Sequence, residues 1–250
     1  MVDEPTPFTL HLQELRKRLI IAGGSWLLAF FVCYSFAETL FLYISEPLRE
    51  VLPEGSSLVF LTATEPFFTY LKIAAMAALV VSLPVILWQV WAFAALVLHT
   101  HEKKFGVALV ASSCLFFSAG TYLGFTFIFP LILSVLIQFG LGANGVSARL
   151  SMDGYLSLAL HLLLAFGIVF ELPVVIGLLA RMGVVDHLWL RQNRKYMVIV
   201  AFVFGAIFTP GPDAFSQCAL AIPFLILYEV GIVSARIFGK PSISMENERT

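Results

Sequence analysis

Charged residues are scarce in this chain, and their scarcity excludes an ordinary soluble domain. Only 12% of the 250 residues are charged, whereas 60% are hydrophobic, and typical soluble domains carry about 25% charged residues. The net charge is −1, so the chain lacks the excess of positive charge that would indicate a nucleic-acid partner. The composition therefore predicts a membrane protein that crosses the bilayer several times.

Cysteine pairs, phosphate-binding motifs and internal repeats are absent from the sequence. The three cysteines, Cys33, Cys114 and Cys218, each stand alone in an apolar run, as is typical of small core residues. The sequence has no glycine-rich nucleotide-binding loop and no recognisable Ser-His-Asp triad. It also lacks His and Cys residues at the spacing of metal ligands, so neither a cofactor nor a metal site is expected. The absence of a repeat argues against an inverted-repeat transporter.

Apolar runs predict an all-α protein with six transmembrane helices. The predicted spans are about Leu19–Phe36, Phe67–Ala92, Phe105–Phe129, Leu156–Ala180, Tyr196–Phe208 and Phe215–Val233. The fifth run has only thirteen residues. It would reach about 20 Å against a hydrocarbon core of ~30 Å, so we expect a thin bilayer around spans five and six.

Polar sequence flanks the spans at both ends. Residues 7–18 are predicted to form an interfacial helix, with Thr6 as its cap and an apolar stripe along one face. Residues 1–240 are then predicted to form one membrane domain, and residues 241–250 a polar cytoplasmic tail.

Two longer loops are predicted on the outer side of the membrane. The first, residues 37–66, contains Pro47, Pro53 and Pro66 as helix breakers and is long enough for a short helix that caps the outer face. The second, residues 130–155, is rich in glycine, serine and asparagine.

The basic residues predict the orientation, because cytoplasmic loops are enriched in lysine and arginine. Twelve of them fall on one side and three on the other, which places both termini in the cytoplasm. The twelve are Arg16, Lys17, Arg18, Lys103, Lys104, Arg181, Arg191, Arg194, Lys195, Arg236, Lys240 and Arg249, and the three are Arg49, Lys72 and Arg149.

Glu171 lies within the fourth apolar run, where lipid cannot solvate a carboxylate. An acidic side chain at a helix centre costs roughly 2.5 to 3.5 kcal/mol on insertion scales, so we predict an intramembrane polar site here. Pro173 adds to the anomaly, because it removes the hydrogen-bond donor for the carbonyl of Val169. A protonated carboxyl bonded to a neighbouring helix is the structural alternative.

Two other ionisable residues fall within the predicted spans. His161 is about 15 Å along the helix axis from Glu171; we predict a local hydrogen bond for it, and a place in a proton path is the alternative. Glu229, near the inner end of span six, is expected to reach the interface or to bond a tyrosine or serine.

Two acids, Glu14 and Glu102, are predicted on the cytoplasmic face. Glu14 can pair with Arg18 one helical turn later. His99 and His101 with Glu102 offer metal ligands, but a solvated loop is the preferred interpretation, because residues two apart on a helix point in different directions. On pattern alone both acids are surface residues, although two carboxylates suit two arginines of a basic peptide.

Four motifs occur in order along the chain. They are HLQELRKRL from His11; PVILWQVWAF from Pro84 with HEKK from His101; AFGIVFELP from Ala165; and TPGPDAFSQ from Thr209 with AIP from Ala221 and YEVG from Tyr228. Together they resemble the TatC family, the receptor subunit of the twin-arginine protein translocase.

This resemblance implies a six-span, glove-shaped protein of the cytoplasmic (inner) membrane whose concave side faces the lipid. Such a protein is not an enzyme; it binds signal peptides with an S-R-R-x-F-L-K type motif on folded cargo and depends on the proton-motive force. The implied partners are single-span TatA- and TatB-type subunits that dock near spans five and six, together with self-association in a TatBC-like complex.

The resemblance also assigns roles to individual residues. Signal-peptide binding falls to Glu14, Arg16, Arg18, Phe93, His101 and Glu102. Glu171 becomes a polar recess, and Pro47, Asp213 and Gln217 match functionally sensitive outer-side positions. The chain departs from the family pattern in having Lys103-Lys104 where arginines are common, and in an additional glycine in the Thr-Pro-x-Asp turn that leaves the direction of Asp213 open.

Two other functions remain open at this point. A proton- or ion-coupled transporter would use Glu171 and His161, although the sequence offers no second matched intramembrane acid. An assembly scaffold without ligand recognition is the third interpretation, and direct binding of a peptide to the isolated chain would separate it from a receptor.

Overall fold

The computed structural model describes residues 7–51, 57–98, 103–141, 149–209 and 214–239. Almost all of them are helical, as apolar sequence in lipid requires, because a helix satisfies its own backbone hydrogen bonds. The elements are α1 (Pro7–Tyr34), α2 (Ala37–Val51), β1 (Ser57–Val59), α3 (Glu65–Leu98), α4 (Lys103–Leu123), a π-helical turn (Gly124–Ile128), α5 (Phe129–Leu141), β2 (Arg149–Ser151), α6 (Met152–Phe170), α7 (Leu172–Arg181), α8 (His187–Gln192), α9 (Arg194–Phe208) and α10 (Ala214–Phe238).

Five helical stretches among the described residues are long and apolar enough to cross a membrane. They are Leu12–Tyr34, Glu65–Phe93, Gly106–Gln138, Met152–Arg181 and Ala214–Ile237. These agree with five of the six predicted spans. The other predicted span corresponds to α9, which has 15 residues and reaches only about 22 Å, so its crossing remains a prediction.

The N-terminal polar segment and the first span belong to one uninterrupted helix. Helix α1 begins at Pro7, a residue tolerated in the first helical turn, and continues to Tyr34. No break separates residues 7–18 from the apolar part.

By backbone contacts the chain divides into two compact units, Met1–Leu40 with Tyr70–Cys114 and Phe41–Thr69 with Leu115–Thr250. In the first unit, α1 packs on α3 around the buried small residues Cys33, Ala74 and Ala78. The indole Nε1 of Trp26 donates to the carbonyl oxygen of Ala75 at 3.1 Å. Small side chains allow the two helices to approach closely, as is typical of helix packing in membranes.

In the second unit, glycines leave room for large side chains of neighbouring helices. A Cβ on Gly120 would collide with the Phe170 side chain, one on Gly124 with Phe166, and one on Gly167 with Phe117. Helix α7 packs on α10 in the same way, and the cluster there consists of Ile176, Ala180, Leu190, Tyr228, Ile232 and Ala235.

The prediction of a loop over residues 130–155 is wrong in its first part, because α5 continues to Leu141. The π-helical turn that ends at Ile128 shifts the helical register immediately before Pro130. Pro130 therefore stands in the first turn of α5, where a missing N–H costs little. The helix reaches the sequence that was assigned to the outer loop.

The prediction that Pro47 breaks a helix is also wrong. The expected short helix of the first outer loop exists as α2, but Pro47 lies inside it. The same loop contributes β1, which pairs in parallel with β2 so that Ser57 faces Arg149. This sheet was not predicted, because strands of three residues carry no readable periodicity.

Candidate functional site

The N-terminal part of α1 carries three of the predicted signal-peptide residues. The guanidinium of Arg18 donates to a carboxylate oxygen of Glu14 at 2.6 Å, which confirms the predicted ion pair. Both side chains are partly exposed, at 19% for Arg18 and 31% for Glu14, and Arg16 is exposed. An incoming guanidinium that takes both oxygens of Glu14 must therefore displace Arg18 in part.

The ends of α3 and α4 are held together by an indole ring on a glycine. A Cβ on Gly106 would overlap the ring of Trp91, and Trp88 packs on Trp91 with ring centroids 5.3 Å apart. The two helix ends are therefore in direct contact on either side of the connecting loop. Phe93 follows Trp91 by two residues and is half-buried.

The loop between these helix ends contains His101 and Glu102, which lie outside the described residues. Glu14, Arg16, Arg18 and Phe93 belong to the same compact unit. The structure thus fixes both ends of the Glu102 loop in the unit that presents Glu14, while the approach of the two acids stays a prediction. Among the described residues, no three His, Cys, Asp or Glu side chains are close enough to hold a metal ion.

Glu171 occupies the junction between α6 and α7. Its N–H donates to the carbonyl of Ile168 at 3.1 Å, and its own carbonyl accepts from Val174 at 3.0 Å and Val175 at 2.9 Å. Pro173 is buried in the first turn of α7. The fourth span is therefore interrupted at the acid, and the Glu171 side chain is partly exposed.

The two other ionisable residues of the spans have nearby partners. His161 Nδ1 lies 2.6 Å from the carbonyl oxygen of Ser157 one turn earlier, which confirms the predicted local hydrogen bond. Glu229 accepts a hydrogen bond from Arg194 at 2.5 Å. Of the two expectations for Glu229, a tyrosine or serine partner is wrong, because the first residue of α9 supplies an arginine; that Glu229 reaches the interface stays a prediction.

At Pro47, a side chain from α6 enters the hydrogen-bond ladder of α2. The hydroxyl of Tyr155 donates to the carbonyl of Ile44 at 2.7 Å, and the N–H of Leu48 hydrogen-bonds to the same hydroxyl. Leu48 itself is fully buried. Tyr155 thus enters the hydrogen bonding between Ile44 and Leu48, directly beside the position at which Pro47 removes a donor.

Glu65, at the start of α3, is a structural centre that the sequence analysis did not single out. One carboxylate oxygen accepts from the hydroxyl of Ser151 at 2.6 Å and the N–H of Asp153 at 2.7 Å. The other accepts from the N–H groups of Leu61 at 2.6 Å and Thr62 at 3.4 Å. Glu65 is only 7% exposed, so one buried carboxylate joins the segment before α3 to the start of α6.

The position of Glu65 also satisfies two helix ends. Its negative charge lies at the N-terminus of α3, and it accepts from the first turn of α6, where helix dipoles favour an anion. Ser151 caps α6 by accepting from Gly154 at 3.3 Å. The signal in the sequence was an acid directly before Pro66 at the start of an apolar run, which is typical of a helix N-terminus.

Helices α9 and α10 approach each other closely near the end of α9. A Cβ on Gly205 would lie 3.2 Å from the carbonyl oxygen of Gln217, and the hydroxyl of Thr209 donates to the carbonyl of Gly205 at 2.9 Å. Gln217 is half-buried. Asp213 lies outside the described residues, so its direction stays open.

Comparison with known proteins identifies the family. The model of the family described as Sec-independent protein translocase protein (TatC) matches residues 10–223. The chain belongs to the TatC family. It is therefore a multi-pass membrane protein and a transport component rather than an enzyme, and it acts with protein partners in a translocase.

Individual TatC proteins match nearly the whole chain. The protein of Desulforapulum autotrophicum is 39% identical over 246 residues, which cover 98% of this chain and 90% of the relative. The protein of Escherichia coli K12 is 39% identical over 237 residues, covering 95% and 91%. A crystal structure of the twin arginine translocase receptor TatC matches with a TM-score of 0.83 and 37% identity, covering 91% of this chain and 99% of that chain.

Proposed function

We propose that this chain is the signal-peptide receptor and core subunit of a twin-arginine translocase, which exports folded proteins across the cytoplasmic membrane using the proton-motive force. The observation that carries the proposal is the match to TatC over nearly the whole chain. The ion-paired acid Glu14 on α1 supplies chemistry that fits it.

The proposed recognition depends on two carboxylates that accept from two guanidinium groups. Glu14 is oriented by Arg18, and Glu102 lies in the loop that Trp91 and Gly106 hold at both ends. Arginine can bind a carboxylate through two parallel hydrogen bonds, whereas lysine offers a single point charge. Exposed pairs are screened over ~8 Å at physiological salt, so geometry must supply the specificity.

Phe93, Arg16 and His101 complete this proposed surface. Phe93 is half-buried and Arg16 is exposed, so an aromatic ring and a cation are available to the residues that follow the arginine pair. Glu171 is proposed as a second site, along which the apolar part of the signal or a partner helix passes. Its support is the interrupted helix at Glu171 and Pro173.

The proposed assembly has six spans with both termini in the cytoplasm, and it contains TatA- and TatB-type subunits and further copies of this chain. The support for the orientation is the distribution of lysine and arginine. Pro47 and Gln217 are proposed as outer-side functional positions, because each lies where a helix is bridged or closely packed. Asp213 is proposed with them on the resemblance alone.

The proposal predicts that Glu14→Gln and Glu102→Gln each weaken binding of a twin-arginine peptide by about tenfold to a hundredfold. An amide loses the charge and one acceptor of a bidentate pair, and hydrogen bonds to charged groups contribute about 1.5–3 kcal/mol. The measurement is the dissociation constant of a fluorescent twin-arginine peptide with the purified chain, compared with its Lys-Lys variant.

Glu38→Gln is the matched control for this experiment, because Glu38 is an exposed acid in the first turn of α2, on the predicted outer side. Unchanged affinity in the two inner-side variants, or an equal affinity of the Lys-Lys peptide, would contradict the receptor function. Loss of affinity in Glu38→Gln as well would show that general charge attraction governs binding.

A further inference from the structure

The segment that follows α7 and includes the first two residues of α9, residues 182–195, is called the α7–α9 connector. It begins with a sharp turn, in which Gly183 adopts a positive φ of 73°. The N–H of Gly183 donates to Ala180 at 3.0 Å and that of Val184 donates to Leu179 at 3.0 Å. This pairing is a common way to end a helix, and it turns the chain away from the axis of α7.

The connector is fixed against α10 by one buried residue. Leu190 is 5% exposed within the cluster shared by α7 and α10, and its carbonyl oxygen accepts from the hydroxyl of Tyr228 at 2.8 Å. The short helix α8 that contains Leu190 is thus held against α10.

The height of these contacts places the connector beside the body of α10. Tyr228 lies ten residues before the end of α10 at Phe238, about 15 Å along the axis. The adjacent Glu229 binds Arg194, the first residue of α9. The connector therefore lies at the level where α9 begins.

The connector exposes apolar and basic side chains together. Val184 is 63% exposed, Leu188 42% and Trp189 55%. Arg191 and Lys195 are exposed, and the Lys195 ammonium lies 5.1 Å from the centroid of the Tyr196 ring. Tryptophan and tyrosine beside lysine and arginine are typical of a membrane–water interface.

Acidic side chains near the connector already have cationic or histidine partners. Asp186 lies 2.8 Å from His187 Nδ1, and Glu229 is bonded to Arg194. Arg191 and Lys195 therefore give the exposed face a positive character. A positive face beside exposed apolar side chains complements an anionic lipid surface.

We propose that the exposed face of the α7–α9 connector binds anionic phospholipid headgroups. Trp189 and Leu188 lie at the boundary between headgroups and acyl chains, and Arg191 and Lys195 contact the phosphates. This proposal rests on the proposed orientation, because the connector must face the cytoplasmic leaflet. It is independent of the signal-peptide residues on α1.

The test uses the full-length purified protein and native mass spectrometry. The protein is mixed with equal amounts of phosphatidylglycerol and phosphatidylcholine, and the ratio of the retained lipids is measured. Each basic residue at an anionic surface contributes about a fivefold preference, so Arg191→Gln should lower the ratio about fivefold and the double variant with Lys195→Gln about 25-fold. Arg191→Lys, which keeps the charge, should retain most of the preference.

Gln192→Ala is the matched control, because Gln192 is an exposed, uncharged residue of α8 within the connector. An equal effect of Gln192→Ala, or equal retention of the two lipids by the unchanged protein, would overturn the proposal. An unaltered ratio in the double variant with loss of TatA- or TatB-type subunit binding would assign the face to a protein instead. Twin-arginine peptide affinity should stay unchanged in every variant, which separates this proposal from the receptor function.

Discussion

Carboxylates in this chain differ in the number and kind of donors that bind them. Glu65 accepts from three backbone N–H groups and one hydroxyl and is almost fully buried. Glu14 is partly exposed and bonded to the flexible side chain of Arg18. A carboxylate held by fixed backbone donors organises structure, whereas one held by a movable arginine can exchange partners with a ligand.

At this scale the prediction is that Glu65→Gln lowers the free energy of unfolding by about 2–3 kcal/mol. The amide nitrogen cannot accept, so it would face two of the donors that now bond to Glu65 and leave them unsatisfied. The measurement is denaturant unfolding of the purified protein in detergent micelles.

Glu46→Gln serves as the control for Glu65, because Glu46 is exposed on α2 and its change should stay within about 0.5 kcal/mol. Peptide affinity at the α1 site should be unaffected by Glu65→Gln in the surviving folded protein. Equal stability of the Glu65 and Glu46 variants would show that the segments before α3 and α6 do not depend on this carboxylate.

Between elements, the contacts that matter most for the proposed site are those that bring helix ends together. Trp91 on α3 lies directly on Gly106 of α4, so the loop that carries Glu102 is closed by a large ring on the smallest residue. In the second unit, the ring of Phe117 packs on Gly167 in the same way. Helix pairs in membranes are held by such close packing, because lipid gives little hydrophobic drive for helices to associate.

We therefore expect Gly106→Ala to weaken twin-arginine peptide binding by about tenfold. The added methyl group forces the Trp91 ring to move, and overpacking of this kind costs about 1–3 kcal/mol. The measurement is again the dissociation constant of the fluorescent peptide. Replacing Trp91 by Phe in the same chain should restore part of the affinity, since a smaller ring leaves room for the methyl group.

Gly23→Ala is the matched substitution for Gly106→Ala. A Cβ on Gly23 meets no atom within 4 Å, so that variant should bind the peptide as the unchanged protein does. If both alanine variants bound normally, the position of the Glu102 loop would not depend on the Trp91–Gly106 contact.

On the scale of the whole molecule, the sequence predicted what depends on local pattern. Five spans and the pair of Glu14 with Arg18 follow from runs or spacings within one helix. The contacts of Glu65 did not, because Ser151 is 86 residues away. The surroundings of Pro47 were not foreseen for the same reason, since the side chain that enters α2 beside it is 111 residues from its partner Ile44. Pairings across such distances are set by packing rather than by periodicity.

The predicted number of six spans depends on whether α9 crosses the membrane. With 15 residues it reaches about 22 Å, against ~30 Å of hydrocarbon. Two contacts hold it along α10: Arg194 with Glu229 near one end and Gly205 against Gln217 near the other. A short helix that is fixed to a longer neighbour can cross where the bilayer thins, so we expect α9 to cross.

Single cysteines on either side of α9 measure this crossing directly. In a chain whose three native cysteines are replaced by alanine, we expect a membrane-impermeant maleimide added outside intact cells to label Ala214→Cys but not Gln192→Cys. Both positions are exposed, and Ser35→Cys, after the first span, is the outer control. Labelling of Gln192→Cys and Ala214→Cys from the same side would mean that α9 does not cross. The number of spans would then be five, and the two termini would lie on opposite sides of the membrane.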